Sequence, residues 1–377
     1  MPSTPPPIFV QQSLQRFSAT ILAILVVLSA AHAQNGKLSP EKRERIESAV
    51  TKAMTGSAPG VAVAIVEGGE YEWSKGFGMA NLENEVPVTS QTLFRLASVS
   101  KPITAIAAMQ LSERGKLDLE APIQQYCPAF PQKPSTITIR ELLGHRGGIR
   151  HYRSDNDDEV NNTKHFEDPI SGGIQFFAND PLIASPGTQF HYSTQGFTLV
   201  GCAIEGASGE KYVKFVTTNV FQPAGMSHTQ WDDRFAIIPH RTSFYSKGKG
   251  GVIQNADFLD SSYKIPGGGW LSSADDMARF EVAILHDQLM KPSTKDAMWT
   301  PQKPPADQGS KHRDYALGWG IGEVDGLKSV GHGGGQQGTS TFIMMIPERG
   351  KGVVVLMNMD GADASDLASE IMKILLS

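Results

Sequence analysis

The run Val61-Ala62-Val63-Ala64-Ile65-Val66 is apolar at every position, and a second extended run, Tyr71 to Gly78, follows after only Glu67-Gly68-Gly69-Glu70. So short a turn joins antiparallel neighbours, because a parallel pair needs a crossover of a dozen residues or more. The chain thus commits early to an antiparallel sheet. Strand patterns fade through the middle and return at Ala316 to Glu323, Thr341 to Ile346 and Gly352 to Met357, before a closing helix from Asp363 to Leu376. From Leu117 to Arg313, short helical patterns alternate with connections such as Pro128 to Pro134 and Ser185-Pro186-Gly187. Strands and helices at both ends of a helical middle predict an α/β fold. Residues 34–104 and 314–377 would build an antiparallel sheet flanked by helices, and residues 105–313 a mostly helical insertion. Within the latter, the polar segment Arg153 to Asn162 reads as a mobile surface loop.

Arg16 precedes the apolar run Ile21 to Leu28, which ends in the small-x-small pattern Ala31-His32-Ala33. Residues 1–33 read as a secretory signal peptide cut after Ala33, giving a secreted or periplasmic product with no membrane attachment after cleavage. The apolar run is shorter than the roughly 20 residues of a membrane span. With 40% hydrophobic and 19% charged residues the chain has a globular composition. A net charge of −5 without basic blocks gives no electrostatic footing for nucleic acid. The two cysteines, Cys127 and Cys202, make no disulfide framework, and Cys202 lies in an apolar run; free thiols are the expectation. There is no H-E-x-x-H, and the cysteines are too far apart in sequence for a zinc motif, so no metal is expected.

Chemistry concentrates at Leu96-Ala97-Ser98-Val99-Ser100-Lys101-Pro102-Ile103-Thr104. Pro102 is tolerated only in the first turn of a helix, so the helix starts near Ser98 and places Lys101 one turn on, on the same face. A hydroxyl there lies beside unpaired backbone N–H groups that favour a developing oxyanion. A buried lysine beside it loses solvation of its charged form, and its neutral amine could take the serine proton. The spacing also occurs at Ser39/Lys42, Ser208/Lys211, Ser246/Lys249 and Ser261/Lys264, but only Ser98 joins it to a helix start and an apolar following run.

Two further stretches carry candidates. Gly331-His332-Gly333-Gly334-Gly335-Gln336-Gln337-Gly338 matches G-x-G-x-x-G from Gly333, but leads into the strand pattern Thr339 to Ile346, whereas a dinucleotide fingerprint must open a helix. Its glycines either let a substrate lie against backbone at a sheet edge or form a tight bend. Tyr192, in Phe190-His191-Tyr192-Ser193-Thr194, precedes an apolar helix that Ser193 or Thr194 would cap. It is either a packed ring or a proton carrier whose phenolate a nearby ammonium would stabilise. No G-x-S-x-G elbow is present.

Together, Ser98-Val99-Ser100-Lys101, Tyr192-Ser193-Thr194 and His332-Gly333-Gly334 resemble the three motifs of the penicillin-recognising serine hydrolases, in the branch of class C β-lactamases, D-alanyl-D-alanine carboxypeptidases and related esterases. Gly148-Ile149-Arg150-His151-Tyr152 and Ser262-Tyr263-Lys264 resemble its mitochondrial serine β-lactamase-like members. The resemblance covers nearly the whole chain after the leader. It implies that Ser98 attacks a carbonyl, Lys101 and Tyr192 share the proton work, and the Ser98 and Gly335 N–H groups form the oxyanion hole. His332, Gly333, Gly334 and Thr194 would line the substrate, a small molecule or peptide, and no cofactor is implied. Where the family has a lysine this chain has His332, which implies a pH-dependent clamp on a substrate carboxylate. Gly333 lacks the neighbouring hydroxyl, and Thr194 replaces an asparagine. The departures point away from efficient β-lactam turnover; the alternatives are a peptidase or esterase, or a non-catalytic cell-wall binder.

Overall fold

A computed structural model describes residues 38–154, 159–302 and 314–377; the expected leader, residues 1–33, lies outside them. Helix α1 (Pro40–Met54) is capped by Ser39, whose hydroxyl accepts the Lys42 N–H at 3.2 Å, with proline as its first residue. Three strands follow: β1 (Gly60–Glu67), β2 (Glu70–Asn81) and β3 (Val86–Pro87). The long helices of the middle span are α2 (Ser100–Glu113), α3 (Thr194–Ser208) and α4 (Ala274–Leu285). The chain then adds β4 (Asp314–Tyr315), β5 (Gly320–Val324), β6 (Leu327–Gln336), β7 (Thr339–Ile346), β8 (Lys351–Met357) and α5 (Ala364–Leu376).

These strands form one sheet in the order β3-β2-β1-β8-β7-β6-β5-β4, antiparallel throughout. The two ends of the chain meet at its centre, where Val61 stands opposite Met357 and Val66 opposite Gly352. Because side chains alternate across a strand, Val61, Val63 and Ile65 pack under α1 and α5, while Ala62, Ala64 and Val66 face the helical span. With both faces covered, a strand has no solvated side, which explains why β1 reads as an unbroken apolar run.

Two expectations are corrected. Cys127 and Cys202 form a disulfide, with Cα atoms 5.4 Å apart. Burial in an apolar region suits a disulfide as well as a thiol, so the surroundings of Cys202 were no guide to its pairing. Nor is the Arg153–Asn162 segment simply a surface loop: residues 155–158 lie outside the described residues, but Glu159 and Asn162 are buried. Glu159 ion-pairs with Arg150 at 2.7 Å and binds the Gln195 side chain at the start of α3.

Candidate active site

The approach to Ser98 is held from both sides. Phe94–Arg95 pairs with Trp270–Ser272 in a small three-stranded sheet. The Arg95 Nε donates to Asp232 at 2.7 Å in a buried ion pair. From β7, the Thr339 and Thr341 hydroxyls donate to the Arg95 and Leu96 carbonyls at 3.0 and 2.9 Å. These contacts reach across β6 because Gly334 has no side chain. A Cβ there would stand 2.3 Å from the Leu96 carbonyl oxygen, 2.5 Å from the Thr341 hydroxyl and 3.0 Å from the Ser98 nitrogen. The following turn, Ala97–Val99, is a single 3₁₀ turn entered through a positive φ of 46° at Ala97, and it runs directly into α2. A non-glycine residue in that region is strained, and the threonine contacts hold it there.

Lys101, in the first turn of α2, is completely buried, and its Nζ has three neighbours: Ser98 Oγ at 2.9 Å, Thr194 Oγ1 at 3.1 Å and the Gly267 carbonyl at 2.8 Å. Burial, reinforced by the charge of Lys264, pushes its pKa well below that of an ordinary lysine. A neutral amine has two N–H groups and one lone pair. The carbonyl and the threonine hydroxyl take the two donors, so the lone pair faces Ser98.

Tyr192 leads into α3, whose N-cap, Ser193, accepts the Gly196 N–H at 2.9 Å. The phenol hydrogen-bonds the Ser98 hydroxyl, and burial raises its pKa above the ordinary tyrosine value. The Lys101 Nζ lies 4.7 Å from the centre of its ring. Of the alternatives for Tyr192, a phenolate does not fit this setting: the group is a neutral phenol that can donate a proton. Two stretches far apart in sequence, the Ser98 turn with the start of α2 and the approach to α3, thus bring Ser98, Lys101 and Tyr192 together.

The family model described as Beta-lactamase matches residues 46–375. The chain belongs to the β-lactamase family. It is 30% identical over 382 residues to the serine beta-lactamase-like protein LACTB, mitochondrial, of Homo sapiens, an alignment spanning 77% of this chain and 69% of that protein. It is 28% identical to penicillin-binding protein 4* of Bacillus subtilis (strain 168), across 78% of this chain and 67% of that protein. Among solved structures, the octameric penicillin-binding protein homologue from Pyrococcus abyssi superposes with a TM-score of 0.77 at 26% identity, covering 88% of this chain and 77% of that one. This is a family of serine hydrolases that work through an acyl-enzyme.

Measured against that family, the third motif departs further than the residue types alone suggest. His332 is buried; its Nδ1 lies 2.6 Å from the Gly333 carbonyl and its Nε2 2.9 Å from the Tyr315 hydroxyl. The carbonyl can only accept, so Nδ1 carries the proton and Nε2 accepts from Tyr315. Burial lowers its pKa to about 3. The pH-dependent clamp expected at His332 is corrected: its titration falls far below neutral, so no charge is gained or lost there across the physiological range. The Thr194 hydroxyl is likewise engaged by Lys101. Gly335 faces open space, as a backbone surface for substrate would require, whereas at Gly334 the crowding comes from the protein itself.

Two hollows flank the nucleophile. One, largely apolar, is lined by Phe190, Tyr192, Tyr315, Ile321, His332 and Phe342. The other, of about 640 Å³, contains Ser98, Thr194 and Gly335, with Tyr152, Lys264 and Gln336 on its wall. Of these, Lys264 and Tyr152 appeared in the sequence only as flanking matches. The Gly267 carbonyl holds Lys101 at 2.8 Å. His145 is buried with its ring 4.2 Å from that of Tyr192. No spacing rule connects these residues to Ser98; only the fold does.

Proposed function

We propose that this protein is an exported serine hydrolase that forms an acyl-enzyme at Ser98 and hydrolyses an amide or ester. The observation that carries this reading is the Lys101 amine 2.9 Å from the Ser98 hydroxyl in a completely buried setting, where burial lowers its pKa. Ser98 Oγ attacks the substrate carbonyl as its proton passes to Lys101 Nζ. The Ser98 and Gly335 N–H groups receive the oxyanion. Collapse breaks the bond to the leaving group, which takes a proton from the Tyr192 phenol, and Lys101 returns its own proton to Tyr192. Water then cleaves the ester with the same groups in reverse. Because Tyr192 lines the apolar hollow, the leaving group departs there and the acyl portion lies in the Lys264 hollow.

A neutral His332 leaves a carboxylate on the leaving-group side without a cationic partner at that position, which disfavours β-lactams and carboxypeptidase substrates alike and favours esters and amides with uncharged leaving groups. The disulfide supports export to an oxidising compartment; N-terminal sequencing of the processed protein tests the cut after Ala33. A panel of a cephalosporin, a D-alanyl dipeptide and short-chain esters tests the reaction. We expect ester turnover to exceed turnover of the cephalosporin and of the D-alanyl dipeptide, and to vanish in Ser98→Ala; wild-type rates in that variant would overturn the proposal.

A further inference from the structure

Lys264 is a buried cation that the catalytic scheme leaves without a task. It is 3% exposed. It follows Tyr263 in a single 3₁₀ turn, Ser262–Lys264, just before the helix Ile265–Gly268 that supplies the Gly267 carbonyl. Its ammonium lies 5.7 and 5.4 Å from the ring centres of Tyr152 and Tyr263. Among the described residues it makes no ion pair and no hydrogen bond, although it lines the same hollow as Ser98. Leaving so buried an ammonium without an acceptor is costly. A second donor lining the hollow, at the end of β6, is in the same position: the Gln336 Nε2 is buried with no acceptor among the described residues. One carboxylate, Asp360, also borders the hollow, and it accepts the Gly338 N–H at 3.3 Å. Two unmatched donors beside the nucleophile call for a ligand acceptor, and an anionic one matches the ammonium best.

We propose that Lys264, assisted by Gln336, anchors a carboxylate on the acyl portion of the substrate, so that the enzyme selects acyl donors derived from dicarboxylic acids. This deepens the hydrolase reading and rests on it for the direction in which substrate lies. The cation is thereby on the opposite side of Ser98 from the neutral His332, and the anion travels with the acyl group instead of with the leaving group. Lys264 is here a specificity residue; it takes no part in bond making.

The charged surroundings set its titration. Burial, then the charge of Arg95, lowers the Lys264 pKa to about 7 against the opposing pull of Glu159 and Asp232. Lys101 faces it from α2, and His151 and Asp360 border the same hollow. The ammonium is therefore present below about pH 7 and lost above it, and the anion preference follows it.

The test separates binding from turnover. Glutaric acid monoanilide and its methyl ester are titrated calorimetrically into Ser98→Ala at pH 6. We expect the acid to bind at least about tenfold tighter than the ester, as a charge-assisted contact implies. Adding Lys264→Met, which keeps the apolar stem, should abolish the preference, and Lys264→Arg should retain part of it. Equal binding of acid and ester, or a preference that survives Lys264→Met, overturns the proposal. Should the double variant not fold, Ser98→Ala alone decides: the preference must decline between pH 6 and 9, and a flat profile overturns it. An intact preference in a protein whose wild type turns over no ester or amide would refute the hydrolase reading and leave the anion site standing.

Discussion

The two walls of the cleft do opposite electrostatic work. The sheet wall, from β6, offers backbone and a neutral imidazole: Gly333, Gly334 and Gly335 carry no side chains, and His332 is tied to Tyr315 and to its neighbour's carbonyl. The helical wall carries the lysines, with Lys101 and Lys264 both buried within reach of one hollow and each depressed in pKa. A site can lose the cation of one wall and keep its proton chemistry, because the groups that move protons and those that hold substrate charge sit on different elements. The lesson is that a motif residue's type does not settle its charge; its solvation does.

The sharpest way to break this contrast is to alter the helical wall. Lys101→Met removes the base, and we expect kcat to fall by about 10³-fold or more. Lys101→Arg should be no better, since a guanidinium cannot become neutral in a protein. Appreciable activity in either variant would show that another group takes the Ser98 proton. Tyr192→Phe should cost about 10²-fold in kcat, and less for esters with good leaving groups, which need no proton on departure.

On the sheet wall the paired glycines should differ. Gly334→Ala drives a methyl group into the Leu96 carbonyl and toward the Ser98 nitrogen, so it should lower kcat about tenfold or more and reduce stability. Gly335→Ala meets nothing within 4 Å and should leave thermal stability close to wild type. Similar melting temperatures for both variants would contradict the packing described for the nucleophile turn.

The disulfide gives an effect of comparable size on stability alone. Replacing both Cys127 and Cys202 with alanine should cost about 2–5 kcal/mol in denaturant unfolding and leave the acylation rate nearly unchanged. The smallest effect concerns pH. His332 and His151 have pKa values lowered to about 3 and about 4, against about 6.5 in an unfolded chain. Below about pH 6.5 the unfolded chain therefore binds more protons, and stability declines as pH falls toward 4. Each histidine contributes up to about 1.4 kcal/mol per pH unit. His332→Asn should flatten part of that slope in melts between pH 7 and 4. An unchanged slope would mean that the ring is not held neutral.

What the sequence revealed follows from range. The apolar run of β1, the turn after it, the Ser193 cap and the start of α2 near Pro102 are local, and each is present in the structure. Ser98 and Lys101 were legible for the same reason, since one helical turn sets their spacing. Tyr192 became legible only jointly with the other motifs. The Gly267 carbonyl, His145 and Lys264 arrive by tertiary packing and carry no spacing signal. The pairing of Cys127 with Cys202 and the neutrality of His332 were misread because both depend on surroundings that residue identity does not encode.

The account rests on Ser98 as a nucleophile made reactive by a neutral Lys101, and intact-protein mass spectrometry after exposure to an activated ester tests it most directly. It predicts a single acyl adduct, mapped by proteolysis to the peptide containing Ser98 and absent from both Ser98→Ala and Lys101→Met. An adduct on another residue, or one that persists in Ser98→Ala, would contradict it.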